Sequence, residues 1–258
     1  MKCNTWCVGV FLSIVCAGTF GCGGGGGSSD TPGPCTALRI AGGEECVERP
    51  LSVAVVATDS GYCSGTFITP QHVLTAAHCI PAAGAEMVVA TKGFSAVTTK
   101  ARVHPQFRRG TFSQYDVAVV TIDSNAPVTP ARIELSVTPQ SGDIAVAYGY
   151  GVDQDGRDVV RRVEDGGQAL KATYIEISSV SDFSIDTISD GDGDTCQGDS
   201  GGPIVLQGAD QQYGIVAIVR SGPNTCVPNI GIAGDNTNLQ GQSVLEFVTR
   251  AAPGVQFN

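Results

Sequence analysis

From Ile40 to near the C-terminus the chain is a succession of short runs rich in Val, Ile, Thr and Tyr, separated by Gly, Pro, Asn and Asp. Runs at 51–58, 66–69, 87–91, 97–103, 117–122, 144–148, 172–177, 204–206 and 214–220 carry this pattern. Segments this short and this dense, with little helical periodicity between them, point to antiparallel barrels or sandwiches. The stretch 123–140 contains Pro127, Pro130 and Pro139, and reads as a connector between two halves. One segment departs from the pattern. Residues 243–250 can place Val244, Leu245 and Val248 on one helical face, ending near Pro253. The coarse expectation is all-β with a terminal helix. At 258 residues, 42% of them hydrophobic, the chain can bury a sizeable core in one large domain or two small ones.

The formal charge of −10 argues against a nucleic-acid partner, because phosphate recognition needs a basic face. No apolar run reaches the roughly 18 residues of a membrane span. The N-terminus reads differently from the rest. Lys2 is the only charged side chain before Asp30, and Val8 to Phe20 is a mostly apolar run of 13 residues. A short basic start and a short apolar stretch describe a secretory signal over residues 1–21. Its end, Thr19-Phe20-Gly21-Cys22, resembles a bacterial lipoprotein signal, in which Cys22 is lipidated and becomes the new N-terminus. Thr19 stands where that pattern prefers Leu, so an ordinary signal peptide with a chance cysteine stays open. The Gly/Ser stretch that follows suits a flexible tether.

Cysteine usage agrees with export. Of ten cysteines, Cys3, Cys7 and Cys16 leave with the signal and Cys22 carries the lipid. Cys35, Cys46, Cys63, Cys79, Cys196 and Cys226 form an even set in an oxidising compartment, which reads as three disulfides. Zinc is the rival use, but the paired short Cys/His spacing of structural zinc is missing, and no metal or cofactor is expected.

Three strings carry candidate chemistry. Gly198-Asp199-Ser200-Gly201-Gly202-Pro203 puts a serine in a glycine-flanked turn, where backbone can approach a substrate closely and N–H groups can converge on an oxyanion. A serine hydroxyl needs a base, and only His72, His78 and His104 are available. His78 ends the apolar string Leu74-Thr75-Ala76-Ala77-His78-Cys79, whereas His72 reads as a turn residue and His104 as a loop element. Asp116 heads the apolar run Asp116-Val117-Ala118-Val119-Val120 and can orient the base.

These strings, in this order, resemble the trypsin/chymotrypsin family of serine endopeptidases from about Ile40 to the C-terminus. The resemblance implies two antiparallel six-stranded β-barrels with a C-terminal helix: barrels at about 40–130 and 131–240, and a helix at about 243–251. It implies His78 as general base, Asp116 as its orienter, Ser200 as nucleophile and the N–H groups of Gly198 and Ser200 as the oxyanion hole. Arg39-Ile40-Ala41-Gly42-Gly43 is similar to the family's activation site. Cleavage after Arg39 would free the Ile40 amine to pair with Asp199, and residues 22–39 would be tether and propeptide ahead of a protease domain at 40–258. Cys63–Cys79 and Cys196–Cys226 match family disulfides. The remaining Cys35 and Cys46 flank the activation bond, and a bridge between them would keep the tether attached after the cut.

Asp194, six residues before Ser200, falls where trypsin-like members pair a substrate Arg or Lys. A calcium loop at Asp190-Gly191-Asp192-Gly193-Asp194 is the rival reading. Aligned without a gap, Gly214-Ile215-Val216-Ala217-Ile218-Val219 puts Val219 at a wall glycine, which would narrow the pocket toward small residues. With a gap earlier in the segment, Gly222 keeps the wall open, and Gly231 supplies the other wall glycine. The expected partners are protein or peptide substrates and protein protease inhibitors, with the membrane reached only through the lipid and the protein a monomer. A catalytically inactive relative serving as a binding module is the alternative from another class. An α/β-hydrolase esterase is disfavoured because no helix pattern follows Ser200.

Overall fold

The computed structural model describes residues 52–59, 61–81, 86–110, 114–152, 170–189, 193–222 and 233–258. These all belong to the unit spanning Gly33–Asn258. The first six strands are β1 (Val53–Thr58), β2 (Gly61–Thr69), β3 (His72–Thr75), β4 (Val88–Thr91), β5 (Phe94–Val103) and β6 (Ala118–Ile122). They close into an antiparallel barrel in the order β1-β2-β3-β6-β5-β4. The next six are β7 (Ile144–Gly149), β8 (Lys171–Val180), β9 (Ser184–Ile188), β10 (Pro203–Gln207), β11 (Tyr213–Ser221) and β12 (Ala233–Asn238). They close a second barrel, β10-β11-β12-β9-β8-β7, and helix α1 (Gln242–Ala251) follows. The all-β, two-barrel expectation is borne out.

Several strands are apolar on both faces because both faces are covered. In β1, Ala54 and Val56 fill the first barrel, while Val53 and Val55 join a cluster that also holds Val146, Tyr148 and Ile218 of the second barrel. Strand β6 divides in the same way, with Ala118, Val120 and Ile122 inside and Val119 outside. Ala145, Ala147, Ile177, Ile185, Val216 and Val219 fill the second barrel. The helix buries Val244, Phe247, Val248 and Ala251, the spacing of one face, and its last carbonyls receive Arg102 Nη1 at 3.1 Å from both Arg250 and Ala251.

Strands β3, β9 and β12 have no counterpart among the apolar runs. Strand β12 is built from Asp235, Asn236, Thr237 and Asn238, polar residues that an apolar pattern passes over. Asn236 and Asn238 are buried with their NH₂ groups engaged: Asn236 donates to the Ile185 carbonyl and Thr187 Oγ1, and Asn238 to the Ser181 carbonyl. His72 differs from the turn position expected of it, whereas His104 lies in a loop as expected. His72 opens β3, with Nδ1 2.7 Å from Thr69 Oγ1. His104 is buried, stacks on Tyr115 at 4.6 Å and reaches the Ser243 carbonyl at the start of α1.

Candidate active site

Strand β3 runs into Ala76 and then a single 3-10 turn, Ala77–Cys79, which carries His78. The Cys63–Cys79 disulfide ties this turn to β2. Asp116 enters β6 with 4% exposure and holds the histidine twice: His78 N–H donates to Oδ1 at 2.8 Å, and Nδ1 lies 2.7 Å from Oδ2. A carboxylate can only accept, so Nδ1 carries the proton and Nε2 is left basic. Thr237 Oγ1 of β12 donates to the Asp116 carbonyl at 3.1 Å, tying the acid to the second barrel. The histidine side chain itself is 37% exposed.

Ser200 belongs to the second barrel, in the turn that precedes β10. Its carbonyl accepts the Ser64 N–H at 2.9 Å and lies 3.7 Å from Cys79 Sγ, so the serine turn abuts the histidine turn. Neighbouring amides are engaged within the fold: Asp199 N–H bonds Cys196 O at 3.0 Å, Gly201 N–H bonds Val219 O at 2.7 Å, and Gly202 N–H bonds Asp199 O at 2.8 Å.

Gly198 and Gly201 adopt φ of +94° and +82°, the left-handed region glycine tolerates. A Cβ on Gly201 would also run into Thr75 Oγ1 and the Ser64 carbonyl. Gly201→Ala is therefore expected to cost about 3 kcal/mol, combining backbone strain with a clash against fixed groups. Thermal unfolding checks this; a Tm within about 2 °C of the parent would contradict it.

Ser64, which motif reading passed over, is the hub of the junction. Its Oγ donates to Gly198 O at 2.8 Å and accepts from Tyr150 N–H at 2.9 Å, while its carbonyl receives Thr75 Oγ1 at 2.8 Å. The only sequence signal for it is a small residue directly after half-cystine Cys63.

Two buried carboxylates flank the turn. Asp199 is fully buried, and its oxygens accept Gly151 N–H at 2.7 Å and Cys196 N–H at 2.8 Å. Burial pushes its pKa up to about 7; the two hydrogen bonds and the charge of Lys171 oppose that rise, and Asp194 adds to it. Asp194 is also buried, with Oδ1 accepting Thr195 N–H at 2.7 Å. Among the described residues its Oδ2 has no hydrogen-bond partner, and burial raises its pKa to about 6.

The wall beside Asp194 corrects one expectation. Val219 does not narrow the pocket: it is 1% exposed and packs inside the second barrel with Ile177 and Ile185. Register shifts at Ile204/Val205 and Val219/Ser221 absorb the extra residues. Gly222 instead lies against Thr195, where an added Cβ would meet Thr195 O and Oγ1 at 2.6 Å. Ala217 also faces the barrel interior. Arg220, unremarked in the sequence, is held by an ion pair with Asp235 and attracted by Asp116 and Asp186.

Cys196 is disulfide-bonded, but Cys226, the partner expected for it, lies outside the described residues. So do Cys22, Cys35, Arg39, Ile40, Cys46, Asp190, Asp192 and Gly231. Among the described residues, Cys63, His78 and Cys79 lie close enough to share a metal, but both sulfurs are spent in the disulfide.

The family model for trypsin matches residues 40–237. A trypsin from Saccharopolyspora erythraea is 31% identical over 200 residues, covering 65% of this chain and 82% of its own length. Brachyurin from Leptuca pugilator is 31% identical over 199 residues, covering 69% and 85%. The solved structure of neuropsin, a serine protease of mouse brain, superposes with a TM-score of 0.67 at 19% identity, covering 81% of this chain and all of that one. Together with the two barrels, the match over residues 40–237 settles the family: this chain belongs to the trypsin family of serine endopeptidases.

Proposed function

We propose that His78 is the general base of this endopeptidase, Asp116 its orienting acid and Ser200 the nucleophile. The observation that carries the reading is the doubly held histidine, fixed by its backbone N–H and by Nδ1 on one buried carboxylate, beside the serine turn. Ser200 Oγ attacks the scissile carbonyl carbon as its proton passes to His78 Nε2. The N–H groups of Gly198 and Ser200 receive the oxyanion. The imidazolium then protonates the leaving amine, the C–N bond breaks and an acyl ester remains on Ser200. Water deprotonated by His78 hydrolyses that ester and restores the hydroxyl. Stoichiometric labelling of Ser200 by an organophosphate separates this reading from an inactive binding module, which would not react.

The preferred substrates are proteins and peptides cut after Arg or Lys. Asp194 supports this with a buried carboxylate oxygen that lacks a partner among the described residues, next to Thr195, which lies against Gly222, and with Val219 turned into the barrel. Protein cut at Arg39–Ile40 should select Arg and Lys from a peptide library. Asp194→Asn should lower kcat/KM for such peptides by about 10²–10³-fold, the cost of leaving a buried cation unpaired. With the carboxyl titrating near 6, acidification through that pH protonates the pocket, and KM for Arg peptides should rise. A library preference for small residues would overturn the assignment.

The zymogen reading adds the Ile40 amine, freed by cleavage after Arg39, as a cation for Asp199. A carboxyl pushed to about 7 by burial gains most from such a partner. Residues 1–21 act as an export signal, and residues 22–39 as a tether lipidated at Cys22. A Cys35–Cys46 bridge keeps that tether on the protease domain, residues 40–258, after the cut.

A further inference from the structure

We infer that Arg109 is a positioning residue for the catalytic base: its guanidinium clamps two carbonyls of the short turn that carries His78 and sets a fixed positive charge beside it. The inference rests on the proposed role of His78 as the base.

The turn is a weak element by itself. Ala77–Cys79 is a single 3-10 turn closed by two backbone bonds, Cys79 N–H to Ala76 O at 3.2 Å and Ile80 N–H to Ala77 O at 3.1 Å. So short a run leaves its last carbonyls without donors of its own. Arg109 supplies them: Nη1 donates to the His78 carbonyl at 3.3 Å, and Nη2 to the Ile80 carbonyl. Two nitrogens of one planar fork bridge the end of the turn, a geometry that the point charge of a lysine does not copy. His78 is then held at three points. Asp116 takes its N–H and Nδ1, and Arg109 takes its carbonyl. Both come from the segment between β5 and β6, so one stretch of chain grips the base from two sides.

That stretch is anchored. His104 N–H bonds the Val117 carbonyl at 3.0 Å, its buried ring stacks on Tyr115, and Phe107 N–H returns to the His104 carbonyl at 3.0 Å. Phe107 packs against the core of the first barrel. The neighbouring Arg108 bonds the Pro105 and Phe107 carbonyls within its own loop. Arg109 reaches across to the catalytic turn instead, while its side chain stays exposed.

Charge adds to geometry. Among the described residues Arg109 pairs with no carboxylate, so its full positive charge rests on the His78 turn. Other charged groups stand near the base: Asp116 from the head of β6, and behind it Arg220 of β11, paired with Asp235 of β12. The Cys63–Cys79 disulfide from β2 brings no charge, and Asp199 on the serine turn is directed at the Gly151 and Cys196 amides. Arg109 therefore opposes formation of the imidazolium and keeps Nε2 free to accept the serine proton in more acidic solution.

The test uses protein cut at Arg39–Ile40 that carries Arg109→Met, Arg109→Gln or Arg109→Lys, with peptide kinetics across pH and thermal unfolding on each. R109M should lower kcat about tenfold with KM within about twofold of the parent, as expected for a misplaced base rather than a lost substrate contact. R109M and R109Q should both move the acid limb of kcat/KM to higher pH; R109K should leave it in place and recover part of kcat. If R109M does not fold, R109Q decides. An unchanged kcat in the uncharged variants, or an acid limb that stays where it was, overturns the inference. A change confined to KM overturns it too, because Arg109 would then contact substrate. So does a loss of kcat that follows Tm through all three variants, which marks a purely structural role. His78→Ala separates the two readings. If it keeps less than about a thousandth of the parent rate, these outcomes bear on Arg109 alone; if it keeps more, the assignment of His78 fails, and this inference with it.

Discussion

Ser200→Ala is expected to lower peptide turnover by about 10⁶-fold in protein cut at Arg39–Ile40, with the thermal midpoint almost unchanged. The contrast comes from which atoms of Ser200 hold the fold. Its carbonyl oxygen binds the Ser64 N–H, and its neighbours' amides bond Cys196, Val219 and Asp199. All of these contacts are backbone and survive the exchange. What disappears is the hydroxyl, and with it the covalent step. Turnover of a good peptide substrate, organophosphate labelling and a melting curve on the same preparation check the claim. A purified variant retaining more than about a thousandth of the parent rate would remove Ser200 from the chemistry, because the oxyanion hole and substrate binding alone account for only a residual acceleration.

Asp116→Asn ranks second, with an expected loss of about 10⁴-fold in kcat, the size of the corresponding exchange in the Ser-His-Asp template. The asparagine fits the same space and can still accept the His78 N–H through its oxygen. The other position becomes an NH₂ group facing Nδ1, and an NH₂ group donates. Nδ1 must then act as acceptor, which moves the ring proton to Nε2 and leaves no base toward Ser200. The protein should remain folded, since the exchange replaces a buried charge with a neutral amide and the Thr237 bond goes to the backbone carbonyl of residue 116. Nitrogen chemical shifts of the His78 ring report the tautomer directly. A loss under tenfold, or an unchanged tautomer, would show that Asp116 does not orient the base.

The candidate triad is legible in the chain because each member sits in a short local string whose surroundings suit its chemistry. His78 follows an apolar strand, Asp116 precedes one, and Ser200 is bracketed by glycines that have to be glycines. The barrels are legible for a related reason: strands buried on both faces, such as β1 and β6, read as unbroken apolar runs. Strand β12 is not legible, because its buried Asn236 and Asn238 are made tolerable by hydrogen bonds to β9 and the loop before it, and such partners have no local signature. The pocket wall fails differently. Two register shifts in β10–β12 accompany the turning of Val219 into the barrel and the placing of Gly222 against Thr195, and one residue of slip exchanges the two faces of a strand. Ser64 matters through contacts with residues far along the chain, and nothing beside it in sequence announces those contacts.

The Ser64 junction also sets when, in the life of a molecule, the enzyme can exist. Ser64 bonds Gly198 across 134 positions and Tyr150 across 86. During synthesis the first barrel's strands leave the ribosome well before the serine turn does, and the groups that hold that turn wait without partners. Closing loops of this length is slow, and its entropy is offset only when the last strands dock. Ser200 meets His78 only on a finished chain. Fragments and stalled products therefore carry the residues of a protease without its cutting power, a safeguard for the producing cell that comes from topology.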